Sequence, residues 1–278
     1  MKLAWRIIVI AAVVLLLLGA ALIAVALFTG GSLDSIRNNV MLTNFQQDFG
    51  EELPTELHIT ADLGNLSVLP GEQLRVEARN VLESGFSCTL TDGVLTVREN
   101  PSASWADSLS RLLSLEEAPP AICIYLPEGL LLSGTEIELA AGEANIRGLN
   151  TRQLKLDMNA GDLLAESLTA ETAELEIRAG VAEFRGLSAD TLKLDMDTGK
   201  LTVTGSIARS CSLDLATGAA ELELTGSAEN YTAQIEAGAG SIVYDGHDCS
   251  METCRIGDGM GEMKLYSAAG MIDVSFAE

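Results

Sequence analysis

Leu154–Leu164 reads LKLDMNAGDLL and Leu192–Thr202 reads LKLDMDTGKLT, so the chain writes nearly the same line twice, 38 residues apart. That interval is two turns of a shorter period. Aligned on pairs of a small residue and a glycine, the sequence places corners at Gly142, Gly161, Gly180, Gly199, Gly218, Gly238 and Gly259, separated by 19, 19, 19, 19, 20 and 21 residues. Apolar residues within each unit alternate with period two, which specifies strand rather than helix. Five positions before the glycine stand Ile137, Leu156, Leu175, Leu194, Leu213, Ala233 and Cys254. Three before it stand Leu139, Met158, Ile177, Met196, Leu215, Ile235 and Ile256, and four after it Ile146, Ala165, Phe184, Val203, Leu222, Ile242 and Met263. A unit this short cannot bury its apolar side alone, but stacked units turn each set into a continuous internal column.

The expected fold is therefore all-β: a parallel β-solenoid with coils of about 19 residues, right-handed by the usual crossover rule. Leu149, Leu168 and Leu187, seven after their glycines, predict a short third side. The frame extends upstream to LHITADLGNLSVLPG (Leu57–Gly71), around Gly64. Between about 74 and 120 it breaks. FSCTLTDGVLTVREN (Phe86–Asn100) reads as a hairpin turning at Asp92-Gly93. SWADSLSRLLSLEE (Ser104–Glu117) reads as an amphipathic helix with Trp105, Leu109, Leu112 and Leu113 on one side. Both insertions are expected to cap an end of the stack, whose bare edge would invite aggregation. At the other end AAGMIDVSFAE (Ala268–Glu278) adds a last inward-facing strand.

The N-terminus is of a different kind. Ile7–Phe28 carries no charge, and at ~1.5 Å per residue it spans a ~30 Å hydrocarbon core. The expected organisation is a cytoplasmic segment 1–6, a transmembrane signal anchor 7–28, a linker 29–53 and an extracytoplasmic solenoid 54–278. Lys2 and Arg6 on the N-terminal side orient it so, by the positive-inside rule. AVA at Ala24–Ala26 leaves a cleaved signal as the alternative, although the apolar run is longer than a usual signal core. All forty acidic residues and fifteen of the seventeen basic ones follow Phe28, a balance of 15 − 40 = −25. Such a surface repels nucleic acid and anionic lipid headgroups. Five scattered cysteines allow at most two disulfides and do not make a disulfide scaffold.

The N-terminal anchor, the units of the form LDxxTGxLxVxG and the line AICIYLPEGLLLSGTEIELAAGEANIRG (Ala121–Gly148), above all YLPEG at Tyr125–Gly129, resemble a bacterial family of candidate adhesins. These are β-strand-repeat proteins with a domain of unknown function. The resemblance covers about Leu57 to Phe276. It implies the β-repeat fold and an extracytoplasmic role, linked in some members to envelope-stress systems, and it carries over no catalytic residues.

One surface feature stands out: Glu138, Asp157, Glu176, Asp195 and Asp214, four before their glycines, fall in one outward column. Two carboxylates ~5 Å apart repel by roughly 0.8 kcal/mol in bulk water. The neighbouring column, Glu136, Lys155, Glu174, Lys193 and Ser212, brings a lysine beside the acids on alternate coils. The plain reading is a partly neutralised solvated wall; the functional one is a strip for divalent cations or a basic partner. His58 is placed at the foot of the acid column in the first coil. YDGHDCSMETC (Tyr244–Cys254) gathers His247, Asp248, Cys249 and Cys254, but Cys254 and Cys211 fall in inward columns, where thiols pack as small hydrophobes, and a Cys249–Cys254 disulfide remains open. GDGMGEM and GAGS supply corner glycines without the Lys-Ser/Thr of a phosphate loop. No metal, cofactor or catalytic residue is assigned. The expected function is a non-enzymatic, single-pass surface protein, an adhesin or binder of cell-wall polymer or envelope protein. The alternatives are an envelope-stress accessory that contacts a membrane sensor and a polysaccharide-acting β-helix enzyme.

Overall fold

The computed structural model describes residues 42–99, 119–250 and 253–277. The expected transmembrane segment 7–28 and the amphipathic segment 104–117 lie outside the described residues. Apart from a 3₁₀ turn at Ala228–Asn230, every regular element among the described residues is strand, and no helix there is long and apolar enough to cross a membrane.

In chain order the strands are β1 (Leu42–Asp48), β2 (Glu56–Gly71), β3 (Arg75–Leu82), β4 (Phe86–Thr91), β5 (Val94–Glu99), β6 (Ala121–Pro127), β7 (Leu131–Arg147), β8 (Asn150–Glu166) and β9 (Thr169–Thr225). After the 3₁₀ turn come β10 (Tyr231–Ala237), β11 (Ser241–Tyr244), β12 (His247–Asp248), β13 (Thr253–Ile256), β14 (Gly261–Ser267) and β15 (Met271–Ala277). The chain forms a β-solenoid: β2, β7, β8 and β9 stack in parallel and in register, with β9 winding through three coils. Gly64 pairs with Gly142, Gly142 with Gly161 and Gly161 with Gly180, so the corners lie one above another. These corners run at φ of +111 to +139°, where a side chain is strained, and a Cβ at any stacked one would overlap the carbonyl oxygen of the corner below. Glycine is required twice over, by φ and by space.

The internal columns are as the alternation specifies. Ile137, Leu156, Leu175, Leu194 and Leu213 are buried in one; Ile146, Ala165, Phe184, Val203 and Leu222 in another. A leucine fully removed from water stabilises by roughly 1.5–3 kcal/mol, so each coil contributes only when its neighbour covers it. The third side is present too. Leu149, Leu168 and Leu187 are buried, and the amides of Thr169 and Ser188 donate to the carbonyls of Leu149 and Leu168 one coil below.

Each end of the stack is finished by antiparallel strands. At the N-terminal end β5 and β6, from either side of the insertion, form a split coil below β2. Strand β4 then lies antiparallel on β5, turning at Asp92-Gly93 as expected, while β3 lies on β6 and β1 on β3. The stretch 29–53, expected as a linker, thus contains β1. At the C-terminal end β13 closes antiparallel on β10, and β12 on β11.

The C-terminal coils depart from the expected order. The last coil of β9 is followed in space by β14 and β15, and only then by β10 and β11. Leu213 pairs with Leu265, and Leu265 with Ile235, so Ile235 belongs two positions away from its expected column. The corner above Gly218 is Gly270, and the next is Gly240 rather than Gly238. A slip of two residues keeps every side chain on its face, so the apolar pattern tolerated it. Gly259 is no corner at all. It lies with Gly257 in the four-residue link by which the chain leaves β13, passes the start of β10 and enters β14 on β10's other side. A Cβ at Gly257 would overlap the Tyr231 carbonyl oxygen, and one at Gly259 the Asn230–Tyr231 peptide.

Candidate functional site

Outward positions of the first side carry one side chain per coil, and the register fixes their order. Glu138 pairs with Asp157 and Asp157 with Glu176; Asp195 and Asp214 continue the column along β9. The column begins at Arg98 of β5, the register partner of Thr60; the Thr60 hydroxyl donates to Glu138 at 3.4 Å, and the column passes beyond Asp214 to Tyr266. The five predicted acids are therefore brought together. His58 is not at their foot: it pairs with Glu136 in the neighbouring column, which continues through Lys155 and Glu174.

That neighbouring column neutralises part of the wall. Lys155 Nζ lies 3.0 Å from Glu136 Oε1 one coil below and 3.2 Å from Asp157 Oδ2 beside it. These two carboxylates hold the ammonium's pKa above its ordinary value. Lys193 reaches Asp195 at 3.1 Å, which raises its pKa in the same way. At Asp214 the scheme lapses, because Ser212 stands where a lysine would. Partial burial, then the Asp195 and Asp197 carboxylates, push the Asp214 carboxyl up.

Opposite charges also pair between coils elsewhere. Arg147 meets Glu166 at 2.9 Å, Arg185 meets Glu166 at 3.3 Å, Arg152 meets Glu171 at 3.2 Å and Arg209 meets Asp190 at 2.8 Å. Each of these pairs, like Lys155–Glu136, joins residues 19 apart, so charges of opposite sign at the coil period were a signal available in the sequence. Exposed pairs of this kind contribute at most about 1 kcal/mol each. Their consistent effect is to cancel repulsion that stacking would otherwise create.

Where the first and third sides meet, a groove of about 870 Å³ runs across the coils past Glu56, His58, Glu136, Arg152, Lys155 and Glu171. It is open, and its charges answer one another along the walls. Among the described residues no group of three or more His, Cys, Asp or Glu side chains could hold a metal ion. In the segment after β11, His247 and Asp248 are exposed while Cys249 is buried, and the Asp248 carboxylate accepts from the Ser250 amide at 2.9 Å. Cys254 is half-buried on the antiparallel strand β13, not in a coil column. All five cysteines are free thiols.

A stack of short parallel coils, cornered by glycine and walled by charge lines, defines a β-solenoid repeat protein. The chain belongs to the Toastrack DUF4097 family, whose model matches residues 56–274. Solved structures similar to it include a candidate adhesin from Bacteroides fragilis, 12% identical, with a TM-score of 0.44 over 84% of this chain and 97% of that one. A candidate cell adhesion protein from Clostridium sporogenes is 13% identical, with a TM-score of 0.38 over 85% and 100%. A candidate lipid-binding protein from Parabacteroides distasonis is 11% identical, with a TM-score of 0.48 over 84% and 97%. No curated protein matches the chain significantly.

Proposed function

We propose that the chain is a membrane-held, extracytoplasmic binding module without catalytic activity, which presents the charged wall of its solenoid to cell-wall polymer or to another envelope protein. The observation that carries this reading is the linear order of the wall. Its side chains run in lines along the stack, one per coil, instead of converging on one point as a reaction centre would require. Flat repetitive walls suit extended or repetitive partners. The apolar segment Ile7–Phe28 supplies the hold on the membrane, with the acidic remainder outside.

The test is co-sedimentation of the full chain, in detergent micelles, with intact peptidoglycan sacculi. It is run with calcium, with chelator and at high salt. Pelleting supports wall binding, and loss of pelleting in chelator assigns the Glu138–Asp214 column to a cation-bridged contact. A chain that stays in the supernatant under every condition overturns the wall-binding reading and leaves a membrane-protein partner, such as a stress sensor, as the target to capture.

A further inference from the structure

The groove between the first and third sides is floored by a glycine that the backbone does not need. Glu56, Gly134, Gln153 and Thr172 form one outward column there, pairing in that order from coil to coil. Gly134 is outside the left-handed region, and a Cβ on it would meet only Glu56 Cγ, at 3.8 Å. Gln153 and Thr172 show that the same place in the coil accepts a side chain. A glycine inside a strand weakens it, and one use of such a residue is to let a ligand come close to the backbone. What the missing side chain leaves here is a notch in the floor.

The walls give that notch a polarity. Glu56 on the coil below and Glu136 two residues along line it with carboxylates, and the Ser133 hydroxyl lies 3.5 Å from Glu56 Oε1. One coil further on, a step of ~4.8 Å, Gln153 is flanked by Arg152 and Lys155. Acids surround one step of the floor and cations the next. Arg152, Lys155 and Glu171 are more than half exposed, so the ion pairs they make along the walls contribute little and can exchange for charges on a ligand. A ligand of net negative charge is repelled by a chain of net charge −23, and a purely cationic one meets Arg152 and Lys155. A zwitterion with its charges one coil apart meets neither objection.

We infer that the groove binds a zwitterionic phosphodiester of the ethanolamine phosphate kind. Its ammonium sits in the notch over Gly134, between Glu56 and Glu136, and its phosphate lies between Arg152 and Lys155. A two-carbon link and an ester oxygen separate the two charges in such a group, a reach on the order of the ~4.8 Å coil step. The charges of a free amino acid, carried on one carbon, fall short of it. The guanidinium fork of Arg152 suits phosphate oxygens. This inference rests on the reading of the chain as a binding module and names a ligand class for one groove. Pelleting with sacculi tests that reading separately, so a chain that pellets but ignores the zwitterion loses this inference alone.

The full chain in maltoside micelles is titrated with glycerophosphoethanolamine while the phosphorus resonance of the probe is followed. The expected result is a saturable shift. Affinity should fall at least about tenfold when Arg152→Gln and Lys155→Gln are combined, and equally when Glu56→Gln and Glu136→Gln are combined. Gly134→Gln, which copies the residue of the next coil, should keep the native melting temperature and lose binding. Glycerophosphoglycerol, which lacks the ammonium, and ethanolamine, which lacks the phosphate, should each compete at least about tenfold more weakly than unlabelled glycerophosphoethanolamine. Two further competitors identify the source of the group. Displacement by micelles doped with phosphatidylethanolamine assigns it to a lipid headgroup, and displacement only by a soluble polymer bearing ethanolamine phosphate assigns it to a polymer substituent. The inference is overturned by the absence of a saturable shift, by equal competition from either half of the zwitterion, by native affinity in folded Gly134→Gln, or by displacement with neither source.

Discussion

Gly161 stacks on Gly142 so closely that a Cβ on the upper residue would overlap the carbonyl oxygen of the lower. Both also hold φ above +130°. Gly161→Ala therefore meets a backbone clash and a strained dihedral together, with expected destabilisation of about 3 kcal/mol or more. Urea unfolding measures it. Gly148→Ala is the comparison, since that glycine shares a positive φ but has open space around it. The 148 variant should lose markedly less.

The buried hydroxyl of Thr135 offers the opposite sign. Thr135 is 3% exposed, stands in the inward column between Leu57 and Leu154, and has no hydrogen-bond partner for Oγ1 among the described residues. Thr135→Val replaces an unpaired polar group by an isostere and should stabilise by about 1 kcal/mol. A lower melting temperature in the variant would show that the hydroxyl is satisfied in solution.

Asp214 sets a pH dependence. Its folded-state pKa is raised, so in the titration range the native state holds more protons than the unfolded one, and stability contributed by this group falls as pH rises. The penalty is present at neutral pH and vanishes below the ordinary carboxylate range. Asp214→Asn should thus stabilise at pH 7, by only about 0.3 kcal/mol because the side chain is exposed and screened. The gain should disappear near pH 3 and shrink in high salt. An unchanged gain at both pH values would contradict the raising of the Asp214 carboxyl by burial and by the Asp195 and Asp197 charges.

Thiol reactivity reports on the columns. Burial pushes Cys211 up to about 12 and Cys88 to about 11, so both are protonated at pH 8. Native protein should leave Cys211 unalkylated at that pH, and denaturant should expose it. Mass mapping of the labelled peptides separates the two states.

The crossing link can be tested without full unfolding. Gly259→Ala is expected to displace β14 and β15 while the coils from β2 through β9 persist. Hydrogen exchange should then rise across Gly261–Ala277 with little change at Leu156 or Phe184. Uniform acceleration would mean that the terminal coil is needed by the whole stack.

The sequence made the interior coils legible because glycine, apolar column and coil period all agree from Gly142 to Gly218. Beyond Gly218 they part company. Ala233 and Ile235 fill inward positions as readily as Met263 and Leu265 do, and period-two alternation survives a slip of two. Nothing in a one-dimensional pattern distinguishes a coil stacked next from one stacked after an inserted neighbour. The acid column was visible for the same reason as the corners, since both recur once per coil. His58 was misplaced because six positions, not four, separate it from Gly64, and both positions face outward. The link at Gly257–Met260 looked like another corner because its glycines are required for a different closeness, to β10 rather than to a corner below.

The antiparallel strands that finish both ends give the molecule a settable length. Interior coils touch only their neighbours, so a duplicated 19-residue unit between Gly142 and Gly218 would move the two ends apart by ~4.8 Å and leave both closures intact. Such a chain is a ruler graduated in coils, whose reach can be altered by copying a single line of its sequence.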